Sequence, residues 1–374
     1  MKRNHNDIRR QHGVTLVELM IGLMVGLIVI GAVLYVFLGS RLTYKYNDAM
    51  GRIQENGRIA IDMIGQDVRM AGFIGCRRLA SYLPPPSASG SISAQMINFS
   101  TPFTNAIAAG VGVDASELKL AERGFIFSQI LNDQISGTDS LTVLSGNTEI
   151  PLAALMANSS SNIVTTSHVP AGPAIISDCR FDSLSLSDAS PSGVPAPAEA
   201  FVVPTAGTTI EHTGNVFQRA YDTDASVTPI STVTYSIRAT ERNDNTGNTV
   251  LALFRDNVEL VEGARDLCVR YGVAENASNE AVGEYVTANA LDDPSSEFDW
   301  KSVIAVRIEL LLASVDDNVL DTDAEVPMLC DRGEPPSATP DDPDAEDSAE
   351  TALDRRMYKI FTTTVGLRNQ VRQP

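Results

Sequence analysis

The sequence predicts an α+β protein: a long N-terminal α-helix, transmembrane and then amphipathic, packed against an antiparallel β-sheet head with long loop inserts. Three observations predict it. From Val14 to Gly39 only Thr15 and Glu18 are clearly polar. Between Met50 and Ala71 apolar residues recur at steps of three and four. Beyond Cys76 the pattern breaks into short β-rich runs, several alternating polar and apolar, separated by Gly/Pro/Ser-rich stretches.

The apolar run of 26 residues gives about 39 Å of helix, enough to cross a hydrocarbon core of roughly 30 Å with some tilt. Lys2, Arg3, Arg9 and Arg10 precede it, and the polar-to-apolar junction lies at Gly13. No small-residue cleavage site follows Gly39, so an ordinary secretory signal does not fit. Positive-inside counting puts the first residues in the cytoplasm and the head in the periplasm. Glu18 is the anomaly. A carboxylate deep in a bilayer costs about 2.5–3.5 kcal/mol, less near an end, and a plain anchor has no use for it. Gly22 and Gly26 form a G-x-x-x-G pair, which lets helices approach closely in lipid.

The helix continues past the membrane. Met50, Ile53, Ala60, Ile61, Ile64, Val68 and Ala71 form an apolar stripe with a gap at Gly57. Arg52, Glu55, Arg58, Asp62, Gln66, Asp67 and Arg69 occupy the other positions, and Gly72 predicts the stop. Strands are expected over 140–144, 174–176, 201–203, 233–238, 250–254, 267–271, 303–312 and 358–367. The run 303–312, more continuously apolar and entered from Trp300, reads as central. Residues 81–90, 187–200 and 316–350 read as solvated loops, the last acidic and Pro-rich.

Net charge is −19, and without the basic first 13 residues it becomes −22. Such a surface repels nucleic acid, and no nucleic-acid partner is expected. Beyond residue 13 the histidines are His168 and His212, with no nucleophile motif beside them. No phosphate-binding loop is present, so neither an enzyme nor a cofactor is expected. The acidic stretches 321–325 and 341–347 lack the glycine and distal glutamate of a calcium loop, and 243–248 reads as a hairpin turn. No metal site is expected. Cys76, Cys179, Cys268 and Cys330 lack C-x-x-C spacing, and a periplasmic head favours disulfides, with three pairings open.

The basic start, Gly13, the apolar helix and Glu18 together resemble the type IV prepilin leader. The resemblance implies cleavage between Gly13 and Val14 by a prepilin peptidase and N-methylation of Val14. Val14 departs from the phenylalanine usual there. The freed amine would lie about 6 Å along the helix from Glu18, and in a filament a neighbour's carboxylate can neutralise it. More narrowly, 52–58, 67–76, 176–179, 260–263, 303–307 and 361–369 resemble the PilW-type minor pilins, whereas 187–232 and 314–355 carry none of the likeness. With chain order, this resemblance favours the pairs Cys76–Cys179 and Cys268–Cys330. It implies a leader (1–13), a transmembrane half-helix (14–39), an amphipathic half-helix (40–72) and a periplasmic or extracellular head (73–374). It further implies an inner-membrane protein that joins the pilus at the cell surface. Its partners would be other minor and major pilins, an inner-membrane assembly platform and a PilY-type tip adhesin. A type II secretion pseudopilin of the J kind shares these features. An anchored binding or sensor domain that never assembles is the alternative from another class.

Overall fold

The computed structural model describes residues 16–73, 126–127, 133–146, 148–158, 161–178, 199–203, 205–211, 220–275, 281–292, 302–330 and 354–367. The chain begins there as one 55-residue helix, α1 (Leu16–Met70). Gly72, at φ 71°, ends it in the left-handed conformation that glycine adopts without a Cβ penalty. The Ala71 and Phe73 N–H groups close the last turn on Val68 and Met70 carbonyls at 3.1 and 2.9 Å.

The head is antiparallel throughout the described residues. Strand β8 (Ala225–Asn243) is its spine. Along one edge lie β2 (Leu141–Gly146) and β3 (Ile150–Pro151), and along the other β5 (Gly172–Asp178) and β9 (Thr249–Arg255). The short β1 (Ile126–Phe127), β6 (Glu199–Val203) and β10 (Val258–Glu262) extend this eight-stranded sheet beyond β2, β5 and β9. A second sheet has the order β12-β11-β13-β14: β12 (Val282–Val286), β11 (Ala264–Ala274), β13 (Val303–Ala313) and β14 (Tyr358–Gly366). A pair, β4 (Ile163–Val169) with β7 (Gly207–Ile210), and a one-turn helix α2 (Ala288–Asp292) complete it. Gly263 joins the two large sheets at φ 78°. A Cβ there would stand 2.4 Å from the Ala313 carbonyl oxygen, so only glycine fits the joint.

The amphipathic half of α1 is buried between these sheets. Ala60, Ile64 and Val68 are fully buried among Leu267, Ile308 and Leu310, each large aliphatic residue worth about 1.5–3 kcal/mol. The gap in the stripe is itself a contact. A Cβ on Gly57 would fall 2.2 Å from Cζ of Phe361, so the ring lies directly on the helix backbone. Gly57→Ala should therefore overpack this joint and cost about 1–3 kcal/mol in chemical denaturation. Adding Phe361→Leu should recover part of the loss.

A second core, built from Ile150, Ile163, Val169, Ile176, Ile210 and Val227, fills the far end of β8. The expected strands all form, and β13 is central as its composition implies. The expectations missed β1, β3, β4, β7, β10 and β12, and stopped β8 well short of its 19 residues. Threonine, serine and glutamate dilute the apolar signal in β4, β7 and β10. The stretch 316–330 departs from the solvated-loop expectation, because Val319 and Leu329 are buried and Cys330 is covalently tied. The loops at 81–90 and 187–198, Trp300 and His212 lie outside the described residues.

Candidate functional site: the exposed half-helix and its anchorage

The first half of α1 touches none of the described head. Leu16 is 75% exposed and Tyr35 82%, and the apolar side chains between them are exposed on all sides. Ser40 and Thr43 fold their hydroxyls back onto the Val36 and Gly39 carbonyls, both at 2.9 Å, which extends the low-polarity surface by a turn. Arg41 stacks over Phe37, and Asp48 pairs with Arg52 at 3.2 Å where the head begins. Glu18, Gly22 and Gly26 recur at four-residue steps along one flank. Apart from the helix's own neighbouring backbone, no described atom lies within 4 Å of a Cβ built on either glycine. Gly13 and Val14 lie outside the described residues, as do Cys76 and Cys179.

The other half is locked to the head by a polar triad. Asp67 Oδ2 accepts hydrogen bonds from the Tyr235 hydroxyl (2.5 Å) and Arg255 Nε (2.9 Å). Burial, then the bond to Asp67 and its charge, push the Tyr235 pKa far above the usual phenol range. The bond to Asp67 raises Arg255 as well. Tyr235 and Arg255 therefore keep their protons through the physiological range, and their bonds to Asp67 fix the rotation of α1 against β8 and β9. Sequence placed Asp67 only among the helix's polar residues, because nothing local announces a partner 168 residues away.

A second polar cluster closes the base of the insert between β13 and β14. The hairpin turn 244–248 is built on Asp244, whose Oδ1 accepts from the Thr246 N–H (2.7 Å), the Thr246 hydroxyl (2.8 Å) and the Asn248 N–H (2.9 Å). Its Oδ2 takes the Arg356 guanidinium. Arg356 also donates to the Ser314 carbonyl at 2.9 Å and pairs with Asp354 at 3.2 Å. Burial alone would raise the Asp244 pKa. The Thr246, Asn248 and Arg356 bonds outweigh it and hold the carboxyl well below the ordinary range. Arg265 stands beside this cluster, its pKa lowered by burial and then by Arg356.

Cys268 on β11 and Cys330 form a disulfide across 62 residues, with Cα atoms 6.1 Å apart. Asp139 brings a carboxylate oxygen within 4.8 Å of both sulfurs. With the sulfurs bonded to each other, this is a disulfide with an acidic neighbour, not a metal centre. His168 is exposed on β4, and Asp323 pairs with Arg355 at 3.3 Å.

Residues 8–34 match the prokaryotic N-terminal methylation motif, and residues 231–369 match the type IV pilus-assembly protein W family, PilW. The second match runs from within β8 through β14, so it takes in the four-stranded sheet, Phe361 and the insert base. No curated protein and no solved structure matches the chain. Both families are structural components of pili, not enzymes. A methylation-motif helix leading into a head of which residues 231–369 match PilW supports a PilW-type minor pilin, and fits one anchored by its helix in the inner membrane and later assembled into the pilus.

Proposed function

We propose that the chain is a low-copy subunit of the pilus tip or initiation complex. The observation that carries this reading is the division of α1: one half whose apolar side chains are exposed and touch none of the described head, the other fixed in a large head. Cleavage after Gly13 and methylation of Val14 would leave an amine close to Glu18. In a bundle of such helices Glu18 neutralises a neighbour's amine, and the Gly22–Gly26 flank admits close approach. The second core enlarges the head beyond the PilW-matching part. That bulk suits one position at an end better than every position along a shaft, where a PilY-type adhesin could also be seated.

Shearing separates the readings. The protein should co-fractionate with sheared pili at far lower copy than the major pilin, and its deletion should strongly reduce surface pili. Normal piliation with loss of secreted enzymes would favour the pseudopilin. Absence from all filaments would favour an anchored domain that does not assemble.

A further inference from the structure

Successive residues of a strand face opposite sides of its sheet. Leu310 and Leu312 of β13 enter the main core, as do Leu267 and Val269 of β11, so Leu311 and Cys268 face the other way. On that outer side the chain forms a strap. After β13, Val319 and Ala324 bond back to Arg355 and Asp354 carbonyls at 3.0 and 2.7 Å. The strap then crosses the sheet, burying Leu329 against Leu311 and Cys268, and ends at Cys330. Arg270 donates to the Cys330 carbonyl at 2.6 Å.

We propose that Asp139 is an electrostatic guard of the Cys268–Cys330 disulfide, so that the strap, once oxidised, resists reopening by thiols. Cys268 is 1% exposed and Cys330 more open, so an external thiolate enters at the Cys330 sulfur. Its sulfur bonds to Cys330, the old S–S bond breaks, and Cys268 leaves as a thiolate that takes a proton from water. A second thiol resolves the mixed disulfide. In total, two external thiols become one external disulfide and both cysteines are reduced. Two species in this path are anions: the attacking thiolate and the departing Cys268 sulfur. A carboxylate within 4.8 Å of both sulfurs repels the first and makes the second a poorer leaving group. Burial of Cys268 acts in the same direction.

Other charges face the bond. Arg270, which donates to the Cys330 carbonyl, keeps its positive charge there and offsets part of the Asp139 effect, while Glu309, in register with Cys268, pairs with Arg307 at 2.7 Å. Asp139 is held in place from both sides of its residue. Its N–H donates to the Leu267 carbonyl at 2.8 Å, and Oδ2 accepts the Val269 N–H at 2.9 Å. Asparagine can keep both bonds while removing the charge.

The test uses the full chain in detergent. Reduction by cationic cysteamine and by anionic mercaptopropionate is followed by alkylation of the Cys268 and Cys330 peptides, each rate scaled to that of a small model disulfide. The wild type should react about tenfold more slowly with the anionic thiol, and salt should shrink the difference. Asp139→Asn should bring the two rates close together, whereas Asp139→Glu should keep them apart. Equal scaled rates in the wild type would overturn the proposal even if the variants failed to fold. So would an Asp139→Asn protein that discriminates as the wild type does.

Discussion

Arg356→Met should destabilise the head by about 3 kcal/mol, at the low end of what breaking a buried ion pair costs. The Arg356 side chain is 5% exposed and that of Asp244 1%. Methionine fills much of the volume but leaves Asp244 without its cation and the Ser314 and Val315 carbonyls without a donor. Arg265 lies close enough to compensate in part, which places the expectation at the low end. The effect has a pH signature. The folded pKa of Asp244 is depressed, so its contribution is complete above the ordinary aspartate range near pH ~4 and drains away as pH falls below it. Denaturation of wild type and variant should therefore differ most near neutrality and converge in strong acid. A constant difference across that range would show that Arg356 acts by packing alone.

Glu18→Ala should leave membrane insertion unchanged and cut incorporation into pili by at least about tenfold, a loss of ~1.4 kcal/mol or more. Insertion depends on the apolar span, which alanine only lengthens. Assembly differs: under the proposed cleavage after Gly13, each incoming helix would bring an amine into an apolar bundle, and an uncompensated charge there costs several kcal/mol. The ratio of protein in sheared filaments to protein in membranes reads the effect directly. An unchanged ratio would remove Glu18 from assembly and leave it as a residue favoured by the positive end of the helix dipole.

How legible the molecule was in sequence follows the range of each interaction. The two halves of α1 could be read because both periodicities are local, and the stop at Gly72 needed only one residue's conformational freedom. The central place of β13 followed from its more continuously apolar run, interrupted only at Arg307 and Glu309. Gly57 appeared as a gap in a stripe, a real signal whose meaning required Phe361, three hundred residues on, to be placed above it. Asp244 was legible as a turn residue but not as the partner of Arg356, and Asp67 was legible only as polar. Asp139 gave no signal at all, because its position beside the disulfide is set by strand pairing between distant segments. Turn chemistry and periodicity are written locally, whereas the partner of a buried charge is decided by topology.

The most direct test of the assembly mechanism is the N-terminal mass of this protein recovered from sheared pili. Cleavage after Gly13 predicts a chain beginning at Val14 and carrying one N-methyl group. A chain still beginning at Met1 within assembled filaments would contradict it.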